Sequence, residues 1–250
     1  MFEVAFIQEE GNGRLAHESM LVRDHCIQHG IDTQLYTAKR IQRRQLPLTN
    51  RSLVFGNIDS MHGAMRQLKI PIPEARYYPA SLTKYLHRNV WLDTLGNVRT
   101  RIHETASSIF AKPASRAKVF TGRVFSDHND FYHTGGTSRH EPLWCSDVVV
   151  WRSEYRVYVI GTDLVSIDHY DGDDGVVLDL GVVTGAVGEY ARSGEAPAAY
   201  GIDFGVLASG ETALVEANDG YSLGAYQIGS SAYARLIFAR WQQLLASACH

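Results

Sequence analysis

The sequence predicts an α/β (α+β) fold, and three observations support this prediction. Over roughly the first eighty residues, short apolar segments of strand character alternate with segments typical of helices. The rest of the chain is rich in strand-like segments and closes with an amphipathic helix over 228–246. With 250 residues the chain can bury a sizeable core. We therefore expect a small N-terminal α/β unit over 1–80 and a larger unit over 81–250.

The order of the predicted elements supports this division. In the N-terminal unit, Gly30 stands where a helix would stop. The elements expected there are strands over 2–7, 33–36 and 52–55 and helices over 14–28 and 60–68. In the second unit we expect strands over 108–112, 148–160, 164–169, 200–208 and 213–218, and helices over 81–95, 186–192 and 228–246. The helix over 81–95 would carry Lys84 and Arg88 on one face, because they are four residues apart.

Composition narrows the classes of partner. The formal net charge is −3 and no long basic block is present, so binding of nucleic acid has little support. Cys26, Cys145 and Cys249 lie far apart and form no CxxC motif, which argues against a disulfide framework or a zinc site. The N-terminus shows neither a signal peptide nor a membrane span. We expect a cytoplasmic protein with no nucleic-acid or membrane partner and leave its oligomeric state open.

Two acidic residues near the C-terminal end form the most informative pattern. Asp203 and Glu216 lie in two apolar runs that Ser209-Gly210 separates. A two-residue hairpin turn there would place Asp203 opposite Glu216, with Gly205 opposite Leu214 and Leu207 opposite Thr212. Like charges in that arrangement destabilise a sheet unless a cation neutralises them. Substitution of either acid by its amide is therefore expected to leave the fold intact, or to stabilise it without a metal.

A third oxygen ligand is expected beside this pair. Period-two alternation puts Asn218 on the same face as Glu216, and two carboxylates with an amide oxygen suit magnesium. A surface hairpin whose acids face water is the alternative. The packed apolar residues of the other face, and Gly201 and Gly205 beside Asp203, favour the metal site.

The strand expected from Trp151 to Ile160 alternates between an apolar and a polar face. The polar face would carry Arg152, Glu154, Arg156 and Tyr158. Taken alone, this face is equally typical of a solvated surface with cross-strand ion pairs.

A second candidate site for phosphate follows the segment IFAKP. Lys112 ends this apolar strand, and an anion would relieve the cost of burying its charge. The next loop supplies Lys118, Thr121 and Gly122, residue types that bind phosphate. Together with the expected magnesium site, these residues assemble what phosphoryl transfer requires.

The order of five segments resembles the ATP-grasp ligases, in particular a clade of short ATP-grasp proteins with poorly defined substrates. The segments are IFAKP, FTG, SEYRVYV, YGIDFGV and LVEANDGYSLGAY, and the resemblance covers roughly 81–250. It implies a small N-terminal domain followed by two sheet-containing lobes that sandwich ATP.

The resemblance also implies a role for several residues. Asp203, Glu216 and Asn218 would hold Mg²⁺, Lys112 and Lys84 would contact the nucleotide, Asp147, Val148 and Val149 would form the adenine hinge, and Glu154 would bind the ribose. Many ATP-grasp ligases have an arginine two residues before the metal aspartate, where this chain has Gly201. Arg156 is our candidate substitute, and Lys118 would compensate for the few glycines of the phosphate loop.

The expected function is ATP- and magnesium-dependent ligation of a carboxylate to an amine through an acyl phosphate, with Arg156 and Lys118 as catalytic cations. Either substrate would be an amino acid or a peptide. The alternatives are a module that binds ATP without turnover, which the missing arginine favours, and a phosphotransferase that stops at a phosphorylated product.

Overall fold

The computed structural model describes residues 2–105, 107–114 and 119–248. In this part of the chain the strands form three sheets, one of three strands and two of four. The N-terminal elements are β1 (Val4–Glu9), α1 (His17–Gln28), β2 (Asp32–Thr37), α2 (Ala38–Gln42), β3 (Ser52–Phe55) and α3 (Ile58–Gln67). This alternation of strands and helices is the one that the sequence predicts.

The first sheet is parallel, with β1 between β2 and β3. Ala5, Phe6 and Ile7 of β1 are fully buried, because helices cover both faces of a parallel sheet. Gly30 follows the end of α1 with a φ of 69°, a left-handed conformation that glycine adopts at low cost. The carboxyl ends of β1 and β3 and the N-termini of α1 and α3 therefore lie at one edge of this sheet.

The second sheet is antiparallel, in the order β4-β7-β5-β6. Its elements are β4 (Val90–Thr94), α4 (Leu95–Thr105), β5 (Ile109–Pro113), β6 (Arg123–Phe125) and β7 (Pro142–Asp147). The helix expected over 81–95 is wrong: a 3-10 helix spans Ala80–Tyr85, and the chain then enters β4. His87 has a φ of 49°, which ends the helix, and pairing with β7 makes the following residues a strand.

The third sheet is also antiparallel, in the order β11-β10-β8-β9. It comprises β8 (Trp151–Ile160), β9 (Asp163–Gly172), β10 (Ala199–Leu207) and β11 (Thr212–Asp219), with the helices α5 (Leu180–Arg192) and α6 (Ser230–Ser247). The continuous strand expected over 148–160 is wrong at its start. Residues 148–150 belong to no strand and instead connect the second sheet to the third.

Helix α6 returns to the N-terminal sheet and packs against it. Trp241 is fully buried there, and its indole Nε1 donates to the carbonyl oxygen of Ser52 at 2.8 Å. Tyr158 and Tyr233 belong to the same apolar cluster as β1 and β3. The first and third sheets therefore share a core, and a domain boundary at residue 80 remains a prediction. Among the helices of the described residues, none is long and apolar enough to cross a membrane.

Candidate active site

The hairpin of β10 and β11 places Asp203 directly opposite Glu216. This confirms the predicted pair, although the turn differs from the prediction. Leu207 N donates to the carbonyl oxygen of Glu211, so the loop between them has three residues rather than two.

The longer loop changes the register on the turn side of the hairpin. Gly205 pairs with Ala213 and not with Leu214, and Thr212 pairs with Val206 and not with Leu207. A β-bulge between Asp203 and Phe204 restores the expected register, with Val215 as the additional residue of β11. The two acids therefore meet because of the bulge.

Asn218 completes the predicted trio. Its amide nitrogen lies 2.9 Å from Glu216 Oε1 and 3.5 Å from Asp203 Oδ2. The three residues predicted to bind a metal therefore lie together on one face of the third sheet. Asp203 is 2% exposed, so this cluster is not a solvated surface patch.

Two cations balance the charge of the acids. Arg156 lies opposite Asp203 on β8, and its Nε and Nη2 donate to Oδ1 and Oδ2 of the carboxylate at 2.8 and 2.7 Å. Lys112 reaches the cluster from β5 of the second sheet, and its ammonium donates to Glu216 Oε2. The site is therefore built where the two antiparallel sheets meet.

Burial and pairing set the ionisation of these groups. Burial raises the pKa of the Asp203 carboxyl, and the Arg156 guanidinium opposes that rise. Burial also acts to raise the pKa of Glu216, but Lys112 and the Asn218 amide outweigh it and hold this pKa below its ordinary value. The pKa of Lys112 is lowered by burial. A dry, paired cluster of this kind is costly unless a charged ligand is its purpose.

The donor set fits Mg²⁺. Two carboxylates and one amide are hard oxygen ligands, and Mg²⁺ commonly takes its remaining ligands from water and phosphate. The amide nitrogen of Asn218 now stands between the two carboxylates, and turning the amide by 180° would present its oxygen there instead. Among the described residues, no group of three or more His, Cys, Asp and Glu side chains offers a competing metal site.

The segment predicted to hold adenine and ribose borders the same face. Asp147 ends β7, and its Oδ2 accepts the backbone N–H and side-chain amide of Asn89. Val148 and Val149 follow in the connection between the sheets, where Val148 is 42% exposed and free to contact a base. Glu154 lies on β8, and its Oε2 accepts the hydroxyl of Tyr170 at 2.9 Å. A ribose bound by Glu154 would compete with that hydroxyl.

The predicted phosphate ligands differ in their placement. Gly122 packs on Lys112, since a Cβ there would lie 3.0 Å from the Lys112 Cβ, and Thr121 is exposed beside it. Lys118 lies outside the described residues. Lys84 is not brought to the cluster, because its ammonium pairs with Glu189 of α5 at 2.6 Å on an exposed surface. A nucleotide contact by Lys84 therefore remains a prediction without support from the geometry.

Sequence reasoning missed the groups that surround Lys112. Tyr77 and Tyr78, in the connection before the 3-10 helix, place their rings 3.7 and 4.9 Å from its ammonium. Arg88 donates to the carbonyl oxygens of Leu214 and Val215 at 2.7 and 3.0 Å and so holds the bulge. The paired tyrosines after a proline-containing segment were a usable signal, whereas the role of Arg88 was hidden by the wrong helix assignment.

A cleft of about 820 Å³ leads from the N-terminal unit to this face. On one side it is lined by the first turns of α1 and α3 and by His62. On the other it is lined by Arg156, by Asn218 and by the loop 221–224. His62 Nε2 lies 2.8 Å from the hydroxyl of Tyr221, so the two sides touch. The cleft has room for small substrates beside the acidic cluster.

Comparison with known proteins agrees with this arrangement. A sequence model of an ATP-grasp domain, the second family of its clade, matches residues 85–236, which include both antiparallel sheets and the whole acidic cluster. No curated protein sequence matches the chain.

Several solved structures share the fold. The crystal structure of the D-cycloserine synthetase DcsG has a TM-score of 0.60 at 9% identity and covers 96% of this chain and 99% of its own. The D-alanine–D-alanine ligase from Bacillus anthracis has a TM-score of 0.57 at 12% identity, with 100% and 99% covered. The macrocyclase MdnC from Microcystis aeruginosa MRC, bound with precursor peptide MdnA, has a TM-score of 0.54 at 11% identity, with 94% and 98% covered. At these identities the likeness concerns the fold alone.

Proposed function

Because the chain belongs to the ATP-grasp domains, within the second family of its clade, we propose that it is an ATP- and magnesium-dependent ligase that joins a carboxylate to an amine. One observation carries this proposal. Two buried carboxylates, Asp203 and Glu216, face each other with Asn218 where two sheets meet, and each is paired with a cation that a phosphate could engage.

The proposed reaction has two steps. An oxygen of the substrate carboxylate attacks the γ-phosphorus of ATP, and ADP leaves, so that an acyl phosphate forms. The nitrogen of the amine then attacks the acyl carbon, inorganic phosphate leaves, and the amine loses a proton. No nucleophilic side chain is required, and positioning and charge neutralisation supply the rate.

The residues divide this work. Lys112, Thr121 and Gly122 would hold the phosphates, and Arg156 and Lys118 would neutralise the negative charge that develops on transfer. Asp147, Val148 and Val149 would contact adenine, and Glu154 the ribose. When bound by Asp203, Glu216 and Asn218, Mg²⁺ would draw charge from the phosphate oxygens. The pairing of Arg156 with Asp203 supports its role as the substitute for the arginine that Gly201 replaces.

Binding of nucleotide and turnover are tested separately. Titration of the protein with AMP-PNP, with and without Mg²⁺, should show metal-dependent binding that Asp203→Asn and Glu216→Gln each weaken by about 100-fold or more. Asp174→Asn is the matched control, because Asp174 is an exposed acid outside the cluster. Binding by both cluster variants at the strength of the wild type would contradict the proposal.

Product analysis separates the ligase from its alternatives. With ATP, Mg²⁺ and mixtures of amino acids and short peptides, a ligase should yield ADP, phosphate and a product whose mass is the sum of two substrates minus one water. A phosphotransferase would release ADP without that product. A module without turnover would bind AMP-PNP and release no ADP. The missing arginine is the observation that keeps this last candidate in the test.

A further inference from the structure

The cleft reaches a crevice in the N-terminal unit that the acidic cluster does not use. In the first sheet β1 lies between β2 and β3, so the connections that leave β1 and β3 diverge at their carboxyl ends. Ala16, Glu18 and Ser19 follow β1, Phe55 and Gly56 belong to the end of β3, and all five line the cleft. Open α/β sheets bind ligands at such a change of direction.

The first turn of α1 at this crevice lacks a cap. Ala16 is the N-cap residue and has no side chain that could accept a hydrogen bond. Among the described residues, no acceptor is found for the backbone N–H groups of His17, Glu18 and Ser19. By contrast, Asn57 Oδ1 caps α3 by accepting the N–H of Ser60. The first turn of α1 therefore offers free donors and the positive end of the helix dipole to an anion.

The hydroxyl of Ser19 is a second, independent indication of a ligand. Ser19 is 4% exposed and lines the cleft. Within the described part of the chain its hydroxyl makes no hydrogen bond, although buried polar groups nearly always have a partner. An oxygen anion at the first turn of α1 would provide that partner.

The opposite wall indicates what kind of ligand carries the anion. Glu18 Oε1 lies 3.3 Å from the backbone N–H of Ala225 and so accepts it across the cleft. Arg156 and Asn218, which form part of the proposed ligation site, line the same cleft. A molecule with its anionic group at α1 would therefore extend its other end towards the place where the acyl phosphate is expected.

We infer that the first turn of α1 and the Ser19 hydroxyl bind the free carboxylate of the amine substrate, which is an amino acid or a peptide with a free C-terminus. This inference rests on the proposed function for the role of the ligand as the amine. The carboxylate held at α1 is not the one that is phosphorylated. It anchors the substrate while the amine faces the opposite wall.

Matched pairs of ligands test the carboxylate. The protein, saturated with Mg²⁺ and AMP-PNP, is titrated with each of the common amino acids and with a set of dipeptides, each as the free acid and as the carboxamide, and binding is followed by the shift in Tm. At least one free acid should bind, and its carboxamide should bind about tenfold or more weakly, since it lacks the charge that the helix dipole favours.

Two substitutions test the site itself. Ala16→Asp would supply the missing cap, so it should raise the Tm of the free protein and weaken binding of the free acid by about tenfold or more. Gly229→Asp is the matched control: Gly229 is the exposed N-cap residue of α6, which also lacks a side-chain cap, and it lies outside the cleft. It should raise Tm similarly and leave binding unchanged. Ser19→Ala should weaken binding without lowering Tm.

Three results would overturn the inference. They are equal binding of an acid and its carboxamide, full binding by Ala16→Asp, and failure of every free acid to bind while AMP-PNP binds normally. Failure of AMP-PNP to bind would instead refute the proposed function, so the two failures are distinguishable.

Discussion

Arg156 and Asp203 form a buried, two-point ion pair across adjacent strands. The guanidinium Nε and Nη2 each donate to a different oxygen of the carboxylate, and the two side chains are 11% and 3% exposed. The sequence suggested repulsion between Asp203 and Glu216. The structure gives each acid its own cation, because Lys112 pairs with Glu216.

This pairing reverses the expected effect of Asp203→Asn on stability. Without its carboxylate partner, Arg156 would be a buried charge, so we expect the free energy of unfolding to fall by about 3 kcal/mol. Urea denaturation without Mg²⁺ measures this loss. The double variant Asp203→Asn/Arg156→Gln should lose less than the sum of the single losses. Additive losses, or a more stable single variant, would contradict the ion pair.

Glu216→Gln should lower stability less than Asp203→Asn does. The Glu216 side chain is 24% exposed, and its glutamine replacement could still accept a hydrogen bond from Lys112. We expect a loss of about 1 to 2 kcal/mol. Urea denaturation of both variants under one condition gives the comparison. A loss for Glu216→Gln equal to that for Asp203→Asn would show that the two acids are equally dry.

Part of this site could be predicted because it depends on local pattern. Two apolar runs around Ser209-Gly210 are sufficient to predict a hairpin, and alternation then puts Asn218 beside Glu216. The bulge at Val215 could not be predicted in this way. It arises from a three-residue loop and from contacts of Arg88 that are remote in sequence.

Pairing between distant segments explains the errors elsewhere. The segment from Val90 to Thr94 is a strand because β7 pairs with it, which its own spacing does not indicate. In the same way, Lys112 was predicted to meet an anion, but its partner Glu216 belongs to another sheet. Residues 148–150 have the composition of a strand and yet serve as the connection between two sheets.

Arg88 should act on the metal site without touching a metal ligand. Its guanidinium donates to the carbonyl oxygens of Leu214 and Val215 beside Glu216 and lies 5.2 Å from the ring of Trp151. Arg88→Met would leave both carbonyl oxygens without this donor and release the bulge. We expect a stability loss of about 2 to 3 kcal/mol and weaker Mg²⁺-dependent binding of AMP-PNP. Unchanged metal dependence would show that the bulge holds its shape alone.

His62 should make stability depend on pH. Burial, helped by nearby Arg66, lowers the pKa of His62 below its ordinary value of 6.5. The unfolded chain therefore takes up a proton more readily than the folded protein, and stability should be lost as pH falls from about 6.5 through the folded pKa. Burial lowers the pKa of His25 as well, so the comparison must be between wild type and His62→Gln. Urea denaturation from pH 8 to 5 should give a shallower dependence for the variant, and identical curves would refute it.

Gly205 should be needed for its lack of a side chain, because β8 approaches it closely. A Cβ there would lie 2.5 Å from Trp151 Cε3 and 2.9 Å from the backbone oxygen of Ser153. Gly205→Ala should therefore cost about 1 to 3 kcal/mol by urea denaturation. It should also weaken AMP-PNP binding, since Trp151 follows the predicted adenine segment directly. Gly188→Ala is the matched control: a Cβ there meets nothing within 4 Å, and the position is in α5. It should stabilise the protein by roughly 0.5 to 1 kcal/mol, because alanine favours a helix over glycine. Equal stability of the two variants would show that β10 can move away from Trp151 at no cost.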